Sequence, residues 1–261
     1  MKIIPLGTNG YFSSFGRQTA CYAIPYKSIL IVLDAGSGLF RFAEENGKKL
    51  LSGVREIHLF LSHYHLDHTF GFYAAFELFE KKKVTVYAKA GRQVFSEFVK
   101  MEHFPIDYEK KYSNFEWKAV GEGWENLKNY RFKVRKQNHR GEVSLGFRLE
   151  FENGKNMAYI TDGEPTRESV EFVKGVDLLL HEHEPSDEKE AKHLKLEDQI
   201  FDGHVTTEGA SLIAKEARVK KLALVHHNPF LNEASLIEEL KKAKAIFKES
   251  HLAMDLEEIE F

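Results

Sequence analysis

Residues 63–68 read His63-Tyr64-His65-Leu66-Asp67-His68. They follow directly on an apolar strand expected over 56–61. Three imidazoles and a carboxylate within six residues are costly to bury unless something binds them. Residues two apart in an extended chain point the same way, so His63 and His65 can grip one cation. Asp67 and His68 stand on the turn into the next element and can face a second. Imidazole nitrogen with carboxylate oxygen suits Zn²⁺ and, with more oxygen, Mn²⁺ or Fe²⁺. The alternative is a surface histidine cluster of no consequence. So many ligand types directly after a buried strand argue against it.

On either side the chain alternates runs of strands with helices. Strands are expected over 2–6, 19–24, 28–33, 84–88, 115–120, 131–136, 146–150, 156–160, 176–180 and 222–225, with an edge strand over 255–261. Helices are expected over 39–46, 71–79, 92–101, 166–172, 188–199, 208–217 and 234–250. This pattern suits two mostly antiparallel sheets covered by helices, rather than a strictly alternating parallel array. Further ligand types end strands: His139 after 131–136, Asp162 after 156–160, His226 after 222–225. Several strand ends, each offering such a side chain, suggest one shared rim.

The 261 residues are 43% hydrophobic and 30% charged, which reads as one globular domain over 1–261 with its own core. Lys+Arg number 37 and Asp+Glu 40, a formal net charge of −3. That balance excludes a strong basic footprint for nucleic acid, though a local patch stays open. The single cysteine, Cys21, excludes a disulfide framework and a Cys-rich zinc module, and reads as a core residue. No apolar run approaches the roughly 20 residues that span a bilayer. The opening Met1-Lys2-Ile3-Ile4-Pro5-Leu6-Gly7 turns too early for a signal-peptide core. A cytoplasmic protein with no membrane partner is the expectation.

The segment 63–68 resembles the HxHxDH signature of the metallo-β-lactamase fold superfamily. The Asp34-Ala35-Gly36 turn is similar to that family's first motif, whose Asp supports the metal loop from behind. His139 matches its third metal histidine. Asp162, in Ile160-Thr161-Asp162-Gly163, matches its bridging carboxylate, and His226, in Leu224-Val225-His226-His227-Asn228-Pro229, its terminal histidine. The resemblance runs from Lys2 to Pro229 and implies the α/β class with a four-layer αββα sandwich. It implies two divalent ions, Zn²⁺ foremost and Mn²⁺ or Fe²⁺ as alternatives. His63, His65 and His139 would hold one ion, Asp67, His68 and His226 the other, with Asp162 between. Both His226 and His227 follow the strand; the family's histidine stands directly after it, which selects His226 and leaves His227 as a rim residue.

Departures narrow the activity. The commonest β-lactamases of this family use a Cys near the second metal, whereas Cys21 lies far upstream. Flavo-diiron proteins carry Glu where this chain keeps His65. Glyoxalase II has a helical C-terminal domain, and only 35 residues follow His226. In contrast, Gly203-His204-Val205-Thr206 resembles the Gly-His-(Ser/Val)-Thr motif of the phosphodiesterase branch, which includes RNase Z and cyclic-phosphate hydrolases. There the histidine is not a ligand; it serves as general acid or as donor to a phosphoryl oxygen. The competing reading is a helix-capping segment. His181-Glu182-His183-Glu184 resembles the family's His-Glu segment, so Glu182 can orient His204; a solvated turn is the alternative. RNase Z bears a long tRNA-gripping arm between the third His and the bridging Asp, where this chain has 22 residues. The spacing is closer to the small cyclic phosphodiesterases, although one such enzyme carries a Cys-rich zinc that this chain lacks.

The resemblance therefore implies a dinuclear hydrolase with His204, Asp67 and Glu182 as catalytic groups. Two cations about 3.5–4 Å apart would generate a bridging hydroxide. The expected substrate is a small cyclic or nucleotide phosphodiester, favoured over nucleic acid. Alternatives are hydrolysis of a carboxylic ester, lactone or thioester, a tRNA 3′-end endonuclease-like activity, and a metal-bound regulatory module. The aromatic residues over 104–124 read as core or as a homodimer contact, with a base-stacking roof as the competing role.

Overall fold

The computed structural model describes residues 1–261 except 94–95, 97–106 and 187–194. In the first sheet β1 (Lys2–Gly7), β2 (Cys21–Tyr26), β3 (Ile29–Leu33), β4 (Glu56–Phe60), β5 (Lys83–Ala88) and β6 (Phe115–Ala119) lie in chain order. The second sheet takes β7 (Gly123–Asn126), β8 (Tyr130–His139), β9 (Glu142–Phe151), β10 (Asn156–Ile160) and β11 (Leu178–Glu182). A separate hairpin joins β12 (Ile200–Phe201) to β13 (His204–Val205), and β14 (Leu222–Val225) and β15 (Ser250–Leu252) then extend the second sheet beyond β11. Finally β16 (Ile259–Glu260) pairs with β1.

The expectation of mostly antiparallel sheets is corrected. Strands β3 to β6 are parallel to one another, as are β10, β11, β14 and β15, while the remaining pairings are antiparallel. Parallel neighbours need a crossover. Helical segments supply most of these, among them Glu45–Leu51, Arg167–Phe172, Thr207–Glu216 and Glu233–Ile246.

Successive strand residues point to opposite faces, and here both faces are covered. Tyr22, Ile24, Ile31, Leu33 and Phe60 meet Phe132, Phe147, Leu149, Tyr159 and Leu180 between the sheets. The alternate residues Cys21, Ala23, Leu30, Val32 and Leu59 pack under Leu39, Phe42, Phe72 and Phe76. On the far side Ala158, Ile160, Leu179 and Leu224 pack under Val170, Phe172, Ile213 and Ala214. The result is helix, sheet, sheet, helix, with Cys21 buried. At the centre Phe60 stacks on Tyr87 at 4.8 Å and meets Phe132 edge-on at 4.9 Å.

Several helices depart locally from the expected bounds. The helix expected over 39–46 is a 3₁₀ segment, Ser37–Ala43, followed by Glu45–Leu51. The one expected over 71–79 breaks at Ala74 into Phe70–Tyr73 and Ala75–Leu78. The helix begun at Glu233, capped by Asn232, stops at Ile246, and Ser250 starts a strand. Residues 94–95 and 97–101 of the helix expected over 92–101, and 188–194 of the one over 188–199, lie outside the described residues. Of the stretch 104–124, Tyr112 and Phe115 are buried in the core under the first sheet and Trp117 packs against it, whereas Trp124 is exposed and 104–106 lie outside the described residues.

Candidate metal centre

All the strand ends singled out above converge on one end of the sandwich. The loop after β4 carries His63, His65, Asp67 and His68; β8 ends at His139; Asp162 and His226 follow β10 and β14. His63, His65 and His139 bring ring nitrogens within 4.8 Å of one another, and the donor atoms of Asp67, His68 and His226 form a second such group. Asp162 lies against both: its Oδ2 is 3.1 Å from His68 Nε2 and 3.4 Å from His226 Nε2, and its Oδ1 is 3.8 Å from His139 Nε2.

The donor set fits divalent cations on two further grounds. His63 Nε2 is buried among these groups with no hydrogen-bond partner, an arrangement that is rare without a bound ion or water. His68 is fully buried, which alone would lower its pKa, yet Asp67, Asp162 and Asp34 hold it well above the ordinary histidine value. Carboxylate charge here is in excess and calls for positive charge.

The candidate ligands are held from behind. Asp34 Oδ1 accepts from Ser62 N at 2.7 Å; its Oδ2 lies 2.7 Å from His68 Nδ1 and accepts from Ser62 Oγ and Tyr159 Oη. His139 Nδ1 donates to the Gly203 carbonyl at 3.1 Å, which leaves Nε2 for the centre. Asp34, Asp162 and His226 all have left-handed backbone, with φ of 58°, 49° and 56°. Such strain is concentrated at functional sites. It turns each side chain back over the strand end.

Glu182, fully buried on β11, accepts from Gly163 N at 2.7 Å and faces His204 Nδ1 at 2.6 Å. His204 sits on the β12–β13 hairpin, whose two-residue turn has positive φ at Asp202 (49°) and Gly203 (81°). Burial would lower the His204 pKa, but Glu182 with Asp162 raises it to about 9. An alternative cation group, Asp162 with Glu182, His204 and His226, also meets the distance condition.

The expectation that His227 stands on the rim is corrected. It is fully buried: its Nε2 donates to Ala253 O at 2.7 Å and its Nδ1 meets His183 Nε2 at 2.8 Å. The left-handed turn at His226 sends the two rings in opposite directions. A cleft of about 810 Å³ opens over the centre, lined also by Tyr11, Arg140, Glu184, Phe201, Asn228 and Phe230. None of the described residues of 107–124 lines it. The sequence signal for Tyr11 and Phe230 was two aromatic rings in Gly-, Ser- and Asn-rich segments, where no core can use them.

The beta-lactamase superfamily domain matches residues 30–227. The chain belongs to that superfamily. Within it, the chain is 25% identical to Ribonuclease Z of Archaeoglobus fulgidus over 99% of this chain and 97% of that one. That alignment runs over 312 positions against 261 residues here, so the relative carries segments this superfamily member lacks. Among solved structures, the metallo-beta-lactamase fold protein YhfI from Bacillus subtilis superposes with a TM-score of 0.74 at 19% identity, covering 100% and 98% of the two chains. A diphosphatase from the PhnP family gives 0.71 at 18%, covering 100% and 96%. Both share the superfamily's four-layer fold with this chain. Among the described residues no helix is long and apolar enough to cross a membrane.

Proposed function

We propose that this superfamily member is a two-metal phosphodiesterase, with Zn²⁺ the first candidate for both ions. His63, His65 and His139 would hold one, Asp67, His68 and His226 the other, and Asp162 would touch both. Bound there, the pair would supply Lewis acidity and an activated water. The observation that carries the phosphodiester reading is His204. Its Nδ1 is committed to Glu182, and its Nε2 has no partner among the described residues on a ring that lines the cleft.

A proton held on that ring can pass to the leaving oxygen, and the same N–H can first bind a phosphoryl oxygen. Glu182 keeps the ring oriented and charged. Ester, lactone and thioester cleavage makes less demand on such an acid, because their difficulty lies in forming the tetrahedral centre. The cleft volume suits a small diester, and the formal charge of −3 offers no overall attraction to a polyanion. The Ribonuclease Z relative favours a second reading, a ribonucleic acid diester. The test is hydrolysis of bis-p-nitrophenyl phosphate, a lactone and a thioester by metal-loaded protein. Diester cleavage that chelation abolishes is the expected result. Cleavage of the lactone or thioester alone overturns the reading.

A further inference from the structure

Tyr11 and Phe230 are 75% and 73% exposed, yet both line the cleft. Phe12 is wedged between them, 5.2 Å from each ring and edge-on to both. Large rings so exposed add nothing to folding. Of the other exposed rings, Phe201 on the hairpin also lines the cleft, while Phe15, Phe70, Tyr73 and Trp124 lie away from it.

This ledge is built rigidly. Arg17, itself buried, donates from Nε to Asn9 Oδ1 at 2.6 Å and from NH2 to Leu231 O at 2.6 Å. Ser14 Oγ donates to Pro229 O, and Asn9 Nδ2 to Ser14 Oγ at 3.0 Å. The two loops that carry the rings are thus knotted together. Tyr11 is also tied to the metal centre: with φ at 58°, unusual for a bulky side chain, its backbone N–H donates to Asp67 Oδ2 at 2.8 Å. Beside it, Gly10 runs so close to the His226 ring that a Cβ would lie 2.2 Å from it. The backbone is spent on the ligands while the side chain is left at the mouth.

We propose that Tyr11 and Phe230, braced by Phe12, stack a flat aromatic group attached to the phosphate, which makes the substrate class a nucleoside-type phosphate ester. Fixed rings that share a cleft with a metal centre suit such an occupant, since stacking serves any base and costs little ordering. The proposal rests on the phosphodiesterase reading for the reacting bond only.

The test measures binding of adenosine 5′-monophosphate and ribose 5-phosphate to metal-loaded protein by calorimetry, beside cleavage of bis-p-nitrophenyl phosphate. Wild type is expected to prefer the nucleotide by about 5- to 150-fold, the range of one base–aromatic stack. In Tyr11→Ala combined with Phe230→Ala that preference falls below about twofold, while affinity for ribose 5-phosphate and metal content stay unchanged. Phe230→Trp restores it in the Tyr11→Ala background. Equal wild-type affinities overturn the proposal, whether the ledge is inert or serves contact between copies. Loss of both affinities in the double variant also overturns it, because the rings then support the centre itself. Ring-dependent binding without diester cleavage overturns the phosphodiesterase reading and leaves the ledge standing. Cleavage without ring dependence does the reverse.

Discussion

Replacing Glu182 by Gln removes one charge and almost no volume. The residue is fully buried, bonded to Gly163 N on one oxygen and to His204 on the other. The rise of the His204 pKa from 6.5 to about 9, against the pull of burial, is worth roughly 3 kcal/mol in favour of the imidazolium. With an amide beside it the largest raising influence is gone and the value falls back towards that of an ordinary histidine, with Asp162 and Glu184 still opposing burial. At pH 8 the protonated share of His204 then falls from about nine-tenths towards about 3%, the share at an ordinary histidine pKa of 6.5, so kcat on a diester with a poor leaving group falls by up to about 30-fold. At pH 6 both proteins carry most of the proton, and the gap closes to within about twofold. The sign is fixed by the role: a general acid is lost as pH rises through its pKa, so the variant's alkaline limb moves to lower pH. The assay is a kcat profile over pH 6–9 on an alkyl and a p-nitrophenyl diester, with metal content measured on the same samples. The p-nitrophenyl diester should hardly respond. A ratio of wild type to variant that is constant with pH would refute the charge argument and leave Glu182 a purely geometric support. Loss of metal from the variant would make it a ligand.

Further outcomes follow from neighbouring residues. Purified protein should bind close to two equivalents of divalent metal, and His65→Ala should lose the ion shared with His63 and His139 while the chain stays folded, as circular dichroism can check. Asp34→Ala strands Ser62, Tyr159 and His68 in the interior, and should lower the unfolding free energy in urea by about 3–5 kcal/mol. Burial lowers the His227 pKa to about 4. The unfolded chain therefore takes up that proton first, and stability is present above pH 6.5 and lost as pH falls towards 4. With chelator present, His227 should account for about 2 kcal/mol of stability between pH 7 and pH 5, which His227→Gln should remove.

The candidate centre is legible where residues that act together are adjacent, as in 63–68, or where an apolar run stops at a ligand type, as at Ile160 and Val225. The four layers follow from strands that are apolar on both faces. Sheet direction was not readable, because a run such as Ile29–Leu33 looks the same whether its neighbour is parallel or antiparallel. The β12–β13 hairpin escaped notice because two residues per strand carry no periodicity. His227 misled because the reading let both histidines ride past the strand end together, whereas the left-handed turn at His226 buries one beneath the other. Tyr11 and Phe230 follow no periodicity, and their only sequence signal is an aromatic ring in a loop-like segment. Their place is fixed by Arg17 and Ser14, through bonds to Leu231 and Pro229 that span more than 200 residues of chain.

The candidate ligands are divided between two sheets: His63 to His68 hang from the first, and His139, Asp162 and His226 from the second. At this end the sheets are pinned by a few backbone bonds, Leu145 N to Ser62 O at 2.9 Å, His227 N to Thr8 O at 2.8 Å and Gly10 N to His227 O at 3.0 Å. The centre is therefore the jaw of a caliper whose opening is set by the stacked rings around Phe60, at the end of the strand that leads into His63. Thinning that aromatic wall would change the reach from one jaw to the other without touching a ligand. Conversely, any ion gripped by both jaws acts as a rivet between layers, and the slowing of exchange at the Leu145 amide would register how firmly it holds.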